Sequence, residues 1–213
     1  MKKLLISIVL VFSIAPTISS SEENQLTKDG DYRIKSRLHL INEIRYKNEH
    51  FRAVVEVPAG SISKWEVNKN SGHLEWEFKK GKPRKINYLG YPGNYGFIPQ
   101  TSGVDGDALD VIVLGESKSR GAIQEIKIIG ALKLRDKGVD DHKILAVPLE
   151  KPFKKIDSIG EMVRKYPGVI HIVRLWFEGY KKAGKIQFLG YMKQSESVKL
   201  IEDSHNKWLG KNE

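Results

Sequence analysis

The stretch from Val104 to Leu114 reads Val-Asp105-Gly106-Asp107-Ala108-Leu109-Asp110-Val-Ile-Val-Leu. It places three carboxylates within six residues, with a glycine between the first two, ahead of a run of β-branched residues. A short apolar run entered through glycine reads as a buried strand. The acids therefore sit where a tight turn feeds the core, a poor place for charge unless something neutralises it. Carboxylates so spaced on a bent backbone can converge on a hard cation, which takes oxygen ligands.

Two plainer readings compete. Asp-Gly-Asp is ordinary turn chemistry. A calcium loop of the EF-hand type needs oxygens at its first, third and fifth positions, glycine at the sixth and glutamate at the twelfth. Glu116 does stand twelfth from Asp105, but Leu109 takes the fifth position and Asp110 replaces the glycine. A strand-like run also replaces the exiting helix, so the EF-hand reading fails.

A chain of 213 residues suits one domain with a substantial core. It contains no cysteine, which excludes disulfides, thiolate metal sites and a cysteine nucleophile. Lys2 and Lys3 precede an apolar stretch from Leu4 to Ala15, and Thr17 and Ser19 have the spacing for cleavage after Ser19. Pro16 ends that stretch short of the roughly 20 apolar residues a spanning helix needs. Residues 1–19 are thus expected to be a secretory signal, and residues 20–213 a single exported domain, periplasmic or extracellular. Loss of Lys2 and Lys3 lowers the formal charge from +10 to +8. Such a basic chain suits nucleic acid, an anionic surface or a small, highly charged anion.

Along the chain, residues 20–30 read as a polar arm and residues 32–51 as extended pieces. Arg52 to Pro58 is a strand with Glu56 embedded in it, and Lys64 to Val67 alternates as a half-buried strand, with Lys64 and Glu66 on one face. Lys79 to Lys85 is a basic, breaker-rich segment with the pattern of a solvated loop. Tyr91 to Pro99 reads as a packed, shaped loop. Ile126 to Leu134 is another apolar run, and it ends at a second polar turn holding Asp136, Asp140, Asp141, His142 and Lys143. Ile144 to Val147 follows as a strand. Acids at a bend followed by a core strand thus occur twice, and neighbouring strands can pool such ligands.

After Pro152 the period changes. Asp157 or Ser158 can cap a short helix ending before Pro167, and Pro167 suits the first turn of a longer one. There Val169, Ile172, Val173, Trp176, Phe177 and Tyr180 form an apolar face. Gln187 to Tyr191 reads as a strand. Ser195 to Trp208 reads as an amphipathic helix through Val198, Ile201, His205 and Trp208, closed by Gly210. Short strands followed by helices predict an α+β fold with a small β-barrel. The six histidines are scattered, and there is no Walker loop, dinucleotide fingerprint or Gly-x-Ser-x-Gly elbow.

From Arg52 to Trp208 these motifs resemble the soluble family I inorganic pyrophosphatases. The family's acidic turn reads Asp-Gly-Asp-Pro-hydrophobic-Asp; here it is DGDALD, with Ala108 in place of the proline that stiffens the turn. The resemblance implies a five-stranded OB-like barrel with flanking C-terminal helices. It implies Mg²⁺ as cofactor, several ions to a site, with Asp105, Asp110 and Asp141 as ligands. Asp136 and Glu56 would hold further ions, and Glu66 would act from the rim. Asp107 would be the general base, with Tyr95, Lys64 and Arg84 in the catalytic set. Lys64, Arg84, Tyr95, Lys143, Tyr180 and Lys181 would hold the phosphates. The segment Lys-Gly-Lys-Pro-Arg84 resembles the longer, eukaryotic-type version, and Lys137 stands where the family often has an acid.

The implied substrate is pyrophosphate rather than nucleic acid, in a homo-oligomer with no stable membrane association once the signal is removed. Pyrophosphate repels a water nucleophile until metals and Lys or Arg neutralise it, which suits many acids in the cleft of a basic protein. The rival reading is a barrel of the same type that binds nucleic acid through its +8 charge and needs no acids at its turns.

Overall fold

The computed structural model describes residues 33–34, 45–46, 50–68, 71–181 and 184–212. The proposed signal lies outside them. In chain order the strands begin with β1 (Arg33–Ile34), β2 (Arg45–Tyr46), β3 (His50–Val57), β4 (Trp65–Val67) and β5 (Leu74–Trp76). Next come β6 (Phe78–Lys79), β7 (Lys82–Pro83), β8 (Asn94–Ile98), β9 (Leu109–Val113) and β10 (Ile123–Asp136). The chain continues with β11 (Val139–Asp140), β12 (Lys143–Pro148), α1 (Ile159–Lys165), α2 (Val169–Gly179), β13 (Ile186–Met192) and α3 (Gln194–Asn212).

Five strands close on themselves. β3 pairs with β8, β8 with β9, β9 with β12, β12 with β10, and β10 returns to β3. All of these pairings are antiparallel except β9 with β12. This is the closed barrel of the expected α+β fold, with α1, α2 and α3 packed outside it.

The apolar runs are unbroken because both faces of these strands are covered. Ile112, Leu145 and Val147 belong to the cluster that packs with Val173 and Phe177 of α2. Their neighbours Val111, Val113, Ile144 and Ala146 join Ile98, Ile128 and Ile201 of α3 in a second cluster.

Two details of pairing aim side chains. The register of β3 against β8 shifts between Val55 and Val57, so Glu56 sits at an irregularity of the kind that redirects a side chain. In the parallel pair Ile144 lies opposite Val111. The residues just before them, Lys143 and Asp110, therefore emerge side by side at one rim of the barrel. Asp141, two residues before Lys143, shares its side of the chain.

Several expectations need correction. Tyr91 to Pro99 is not a loop throughout, since Asn94–Ile98 is barrel strand β8. Gly96 hid it: a Cβ there would collide with the Val54 carbonyl oxygen, so the close approach of β3 requires glycine inside the strand. The basic segment Lys79 to Lys85 is a small hairpin, β6 with β7, not a plain loop. Ser158 caps α1 as expected, its Oγ accepting from the Glu161 N–H at 3.1 Å. However, Gly168, with φ of 90°, is the N-cap of α2, so Pro167 precedes the helix. Its buried face runs through Ile170, Val173, Trp176 and Phe177, while Ile172 is exposed. Finally, α3 continues through Gly210 to Asn212 rather than closing there.

Candidate active site

At the rim formed by the parallel pair one cation meets two carboxylates. The Lys143 ammonium, almost fully buried, is bonded to both Asp110 Oδ2 and Asp141 Oδ1. Burial alone would lower its pKa, but the two carboxylates more than reverse that and the net direction is up. Lys143 is thus a charged clamp between Asp110 of β9 and Asp141 of the segment leading into β12.

Around this clamp the other cations also carry acidic partners. Lys64 Nζ lies 2.8 Å from Glu66 Oε1, and Lys181 Nζ lies 2.8 Å from Asp136 Oδ2. Arg84 Nη1 donates to both carboxylate oxygens of Glu77, at 2.7 and 2.6 Å. Aromatic rings form the wall between them. Tyr91 packs on Tyr95 with centroids 5.0 Å apart and on Trp176 at 4.3 Å, and Trp176 stacks on Tyr180 at 4.7 Å. Lys64 lies over the Tyr95 ring at 5.0 Å, and Lys181 over that of Tyr180 at 5.4 Å.

Electrostatics bind these groups into one cleft. Tyr95 has its hydroxyl pKa pushed far up, first by burial and then by Asp110, Tyr91, Tyr180 and Glu56. Tyr91 is also pushed up by burial, against the pull of Lys64 and Arg84. Glu56 is raised to about 7, chiefly by burial. Lys64 and the Val67 N–H, which donates to Glu56 Oε1 at 2.8 Å, pull it down, while Asp110 and Glu66 push it up again.

Glu56 therefore costs stability when it ionises. Below the unfolded pKa near 4.5 the group is protonated in both states and there is no penalty. The penalty grows from there to about pH 7 and is constant above it. A shift of that size corresponds to roughly 3 kcal/mol at most. With divalent cations chelated, Glu56→Gln is expected to raise the unfolding midpoint at pH 8 and to leave it unchanged at pH 4. Denaturant melts at the two pH values check this, and an equal effect at both would remove the buried carboxylate as its cause.

The acidic turn has its own architecture. Gly106 takes φ of 85°, which glycine adopts without strain. The Asp107 N–H donates to Asp105 Oδ1 at 2.9 Å, and the Gly103 N–H donates to the Asp107 carbonyl at 2.6 Å. Asp107 and Asp105 are both exposed. Contacts and electrostatic coupling thus link Glu56, Lys64, Glu66, Arg84, Tyr95, Asp110, Asp141, Lys143 and Tyr180 into one cluster, with Lys181 and Asp136 joined through Tyr180. Asp105 instead engages its own turn. Among the described residues no group of three or more acids and histidines converges closely enough to enclose an ion.

The residues nevertheless fit a hard cation. The donors are all carboxylate oxygens, Asp110 and Asp141 already face one shared cation, and Asp136 Oδ1 is buried without a hydrogen-bond partner. Two contributors escaped the reading of the sequence. Tyr91 looked like loop packing, and Glu77 meets Arg84 only because their main chains pair, Arg84 N–H to Glu77 carbonyl at 2.7 Å. The alternation Glu75-Trp76-Glu77 ahead of the basic hairpin was the available signal.

Known proteins bear directly on this arrangement. The inorganic pyrophosphatase family model matches residues 53–209. The inorganic pyrophosphatase of Halalkalibacterium halodurans is 32% identical over 163 residues, covering 74% of this chain and 94% of that protein. The mitochondrial inorganic pyrophosphatase of Saccharomyces cerevisiae is 31% identical over 195 residues, and this chain spans only 63% of its length. Among solved structures, the type I inorganic pyrophosphatase of P. falciparum superposes with a TM-score of 0.73 at 27% identity, covering 79% of this chain and 61% of that one. That of Coxiella burnetii gives 0.68 at 26% identity, covering 78% and 99%. With a family match across the whole barrel and its helices, and relatives that share its fold, this chain belongs to the family I inorganic pyrophosphatases.

Proposed function

We propose that this chain is an exported, Mg²⁺-dependent hydrolase that splits inorganic pyrophosphate into two phosphates, with Asp107 as general base. The observation that carries the reading is a cleft in which buried or half-buried cations each face a carboxylate, in a chain of this family. Asp105, Asp110 and Asp141 would hold Mg²⁺, with Asp136, Glu56 and Glu66 available to further ions. Bound there, Mg²⁺ supplies neutralisation of phosphate charge and a water of lowered pKa.

The chain's own residues do the rest by exchanging partners. Lys64, Lys143, Lys181 and Arg84 are neutralised by Glu66, Asp110 with Asp141, Asp136 and Glu77. An arriving pyrophosphate offers oxygens to the same cations, for which the planar Arg84 suits a two-point grip. Each cation that turns to phosphate frees a carboxylate to take metal, so substrate and metal favour each other. Tyr95, whose hydroxyl burial keeps protonated, donates to phosphate oxygens, and the Tyr180 hydroxyl does the same. Asp107, exposed in the acidic turn, orients water and accepts its proton, a contribution of typically about 10²–10⁴ in rate. The cleft cations already hold acidic partners, which favours an exchange site over a plain polyanion-binding barrel.

The domain purified without residues 1–19 is expected to release phosphate from pyrophosphate with Mg²⁺. No turnover with any of several divalent metals would refute the reading. Export and assembly into a homo-oligomer belong to the same proposal, and amino-terminal sequencing of the exported protein with a sedimentation run tests them. No described helix is long and apolar enough to cross a membrane.

A further inference from the structure

The loop that leads into the acidic turn is gripped from outside by the last helix. The N–H of buried Ser102 donates to the Ser204 carbonyl at 3.0 Å, and His205 Nδ1 donates to the Gln100 carbonyl at 2.8 Å. Two lysines one helical turn apart complete the grip. Lys207 Nζ donates to the Gly103 carbonyl at 2.6 Å, and Lys211 Nζ donates to Ser102 Oγ at 3.0 Å.

Gly103 is the node of the turn itself. Its N–H closes on the Asp107 carbonyl at 2.6 Å, and its carbonyl also accepts the Gly106 N–H at 3.3 Å. Lys207 therefore bonds a residue whose main-chain N–H and carbonyl are both used by the turn. Lys211 reaches over the turn, with Nζ 3.8 Å from where a Cβ on Gly106 would stand. Helix-surface lysines ordinarily extend into water, yet these two place charged donors on main chain and a hydroxyl beside an acidic loop. Ala108, lacking the ring of a proline, does nothing to stiffen the turn from within.

We infer that Lys207 and Lys211 are positioning residues, through which α3 fixes the conformation of residues 103–107 and so the affinity of that turn for a divalent cation. This rests on the proposed role of Asp105 and Asp107. The sign of the effect separates it from simple electrostatics. Two positive charges near an acidic turn repel a metal ion, so removing them would tighten metal binding if charge were their only influence. Removing a clamp weakens it.

The test compares wild type, the double variant K207M/K211M and the conservative pair K207R/K211R, all as the full domain. In K207M/K211M the half-saturating Mg²⁺ for phosphate release is expected to rise about ten-fold, as when a ligand loses its supporting contacts. At saturating Mg²⁺ kcat should stay within about two-fold of wild type. In metal-free protein, hydrogen exchange at the Gly103, Gly106 and Asp107 amides should speed up about ten-fold while the barrel strands keep their protection. K207R/K211R should restore both. An unchanged or lower half-saturating Mg²⁺ with unchanged exchange would overturn the inference, as would faster exchange throughout the barrel. If wild type itself does not hydrolyse pyrophosphate, the proposed function fails, and the exchange measurement still decides the clamp.

Discussion

Replacing Asp107 by asparagine is expected to lower kcat for pyrophosphate by at least about a hundred-fold while leaving the fold and metal binding close to wild type. The expectation rests on how residue 107 is held. Its N–H donates to Asp105 Oδ1 and its carbonyl accepts from Gly103, and both bonds belong to the main chain, which the substitution leaves alone. Asparagine keeps the size and one oxygen of the side chain but cannot take up a proton at neutral pH. A loss in kcat with Mg²⁺ affinity retained, read by phosphate release beside calorimetry, is the signature of a missing base. A variant of near-normal rate would remove Asp107 from that role. A loss of rate that more Mg²⁺ recovers would instead make Asp107 a metal ligand.

The chemistry of this site was more legible in the sequence than the architecture that assembles it. Asp105, Asp107 and Asp110 announce themselves because turn chemistry and charge are local, as do Asp136 and Asp141 at the second bend. What brings Asp110 to Lys143 is a parallel strand pairing between segments about thirty residues apart, Val111 beside Ile144. No local pattern encodes that. The strand Asn94–Ile98 was obscured by Gly96, a residue chosen for the nearness of Val54 rather than for strand propensity. In α2 the expected face holds at Val173, Trp176 and Phe177, while helix packing buries Ile170 and leaves Ile172 in solvent. Glu77 could be assigned to Arg84 only once the hairpin had laid their main chains together. Asp105 was expected among ligands that meet, and its Oδ1 accepts from the Asp107 N–H within its own turn.

Lys143→Met is expected to be the most disruptive single change in the cleft, and in a way that Mg²⁺ reverses. The ammonium has only 4% of its side-chain surface exposed and answers two carboxylates at once. Removing it leaves Asp110 and Asp141 facing each other with no cation between them. Breaking a buried ion pair from one side costs about 3–5 kcal/mol, and the lower figure applies here. The reason is that the Asp110 and Asp141 side chains keep 29% and 26% of their surface in contact with solvent. In chelator, the unfolding free energy of K143M should fall by about 3 kcal/mol, a large part of the stability of a domain this size. Adding Asp141→Asn should return much of that loss, because one of the two stranded charges disappears. Mg²⁺ should stabilise K143M more than it stabilises wild type, since the same oxygens no longer have to release a lysine before taking a metal. Chemical denaturation of the three proteins with and without Mg²⁺ measures all of this. Equal Mg²⁺ stabilisation of wild type and K143M would mean that Asp110 and Asp141 do not share the metal, and the exchange of partners proposed for catalysis would lose its central pair.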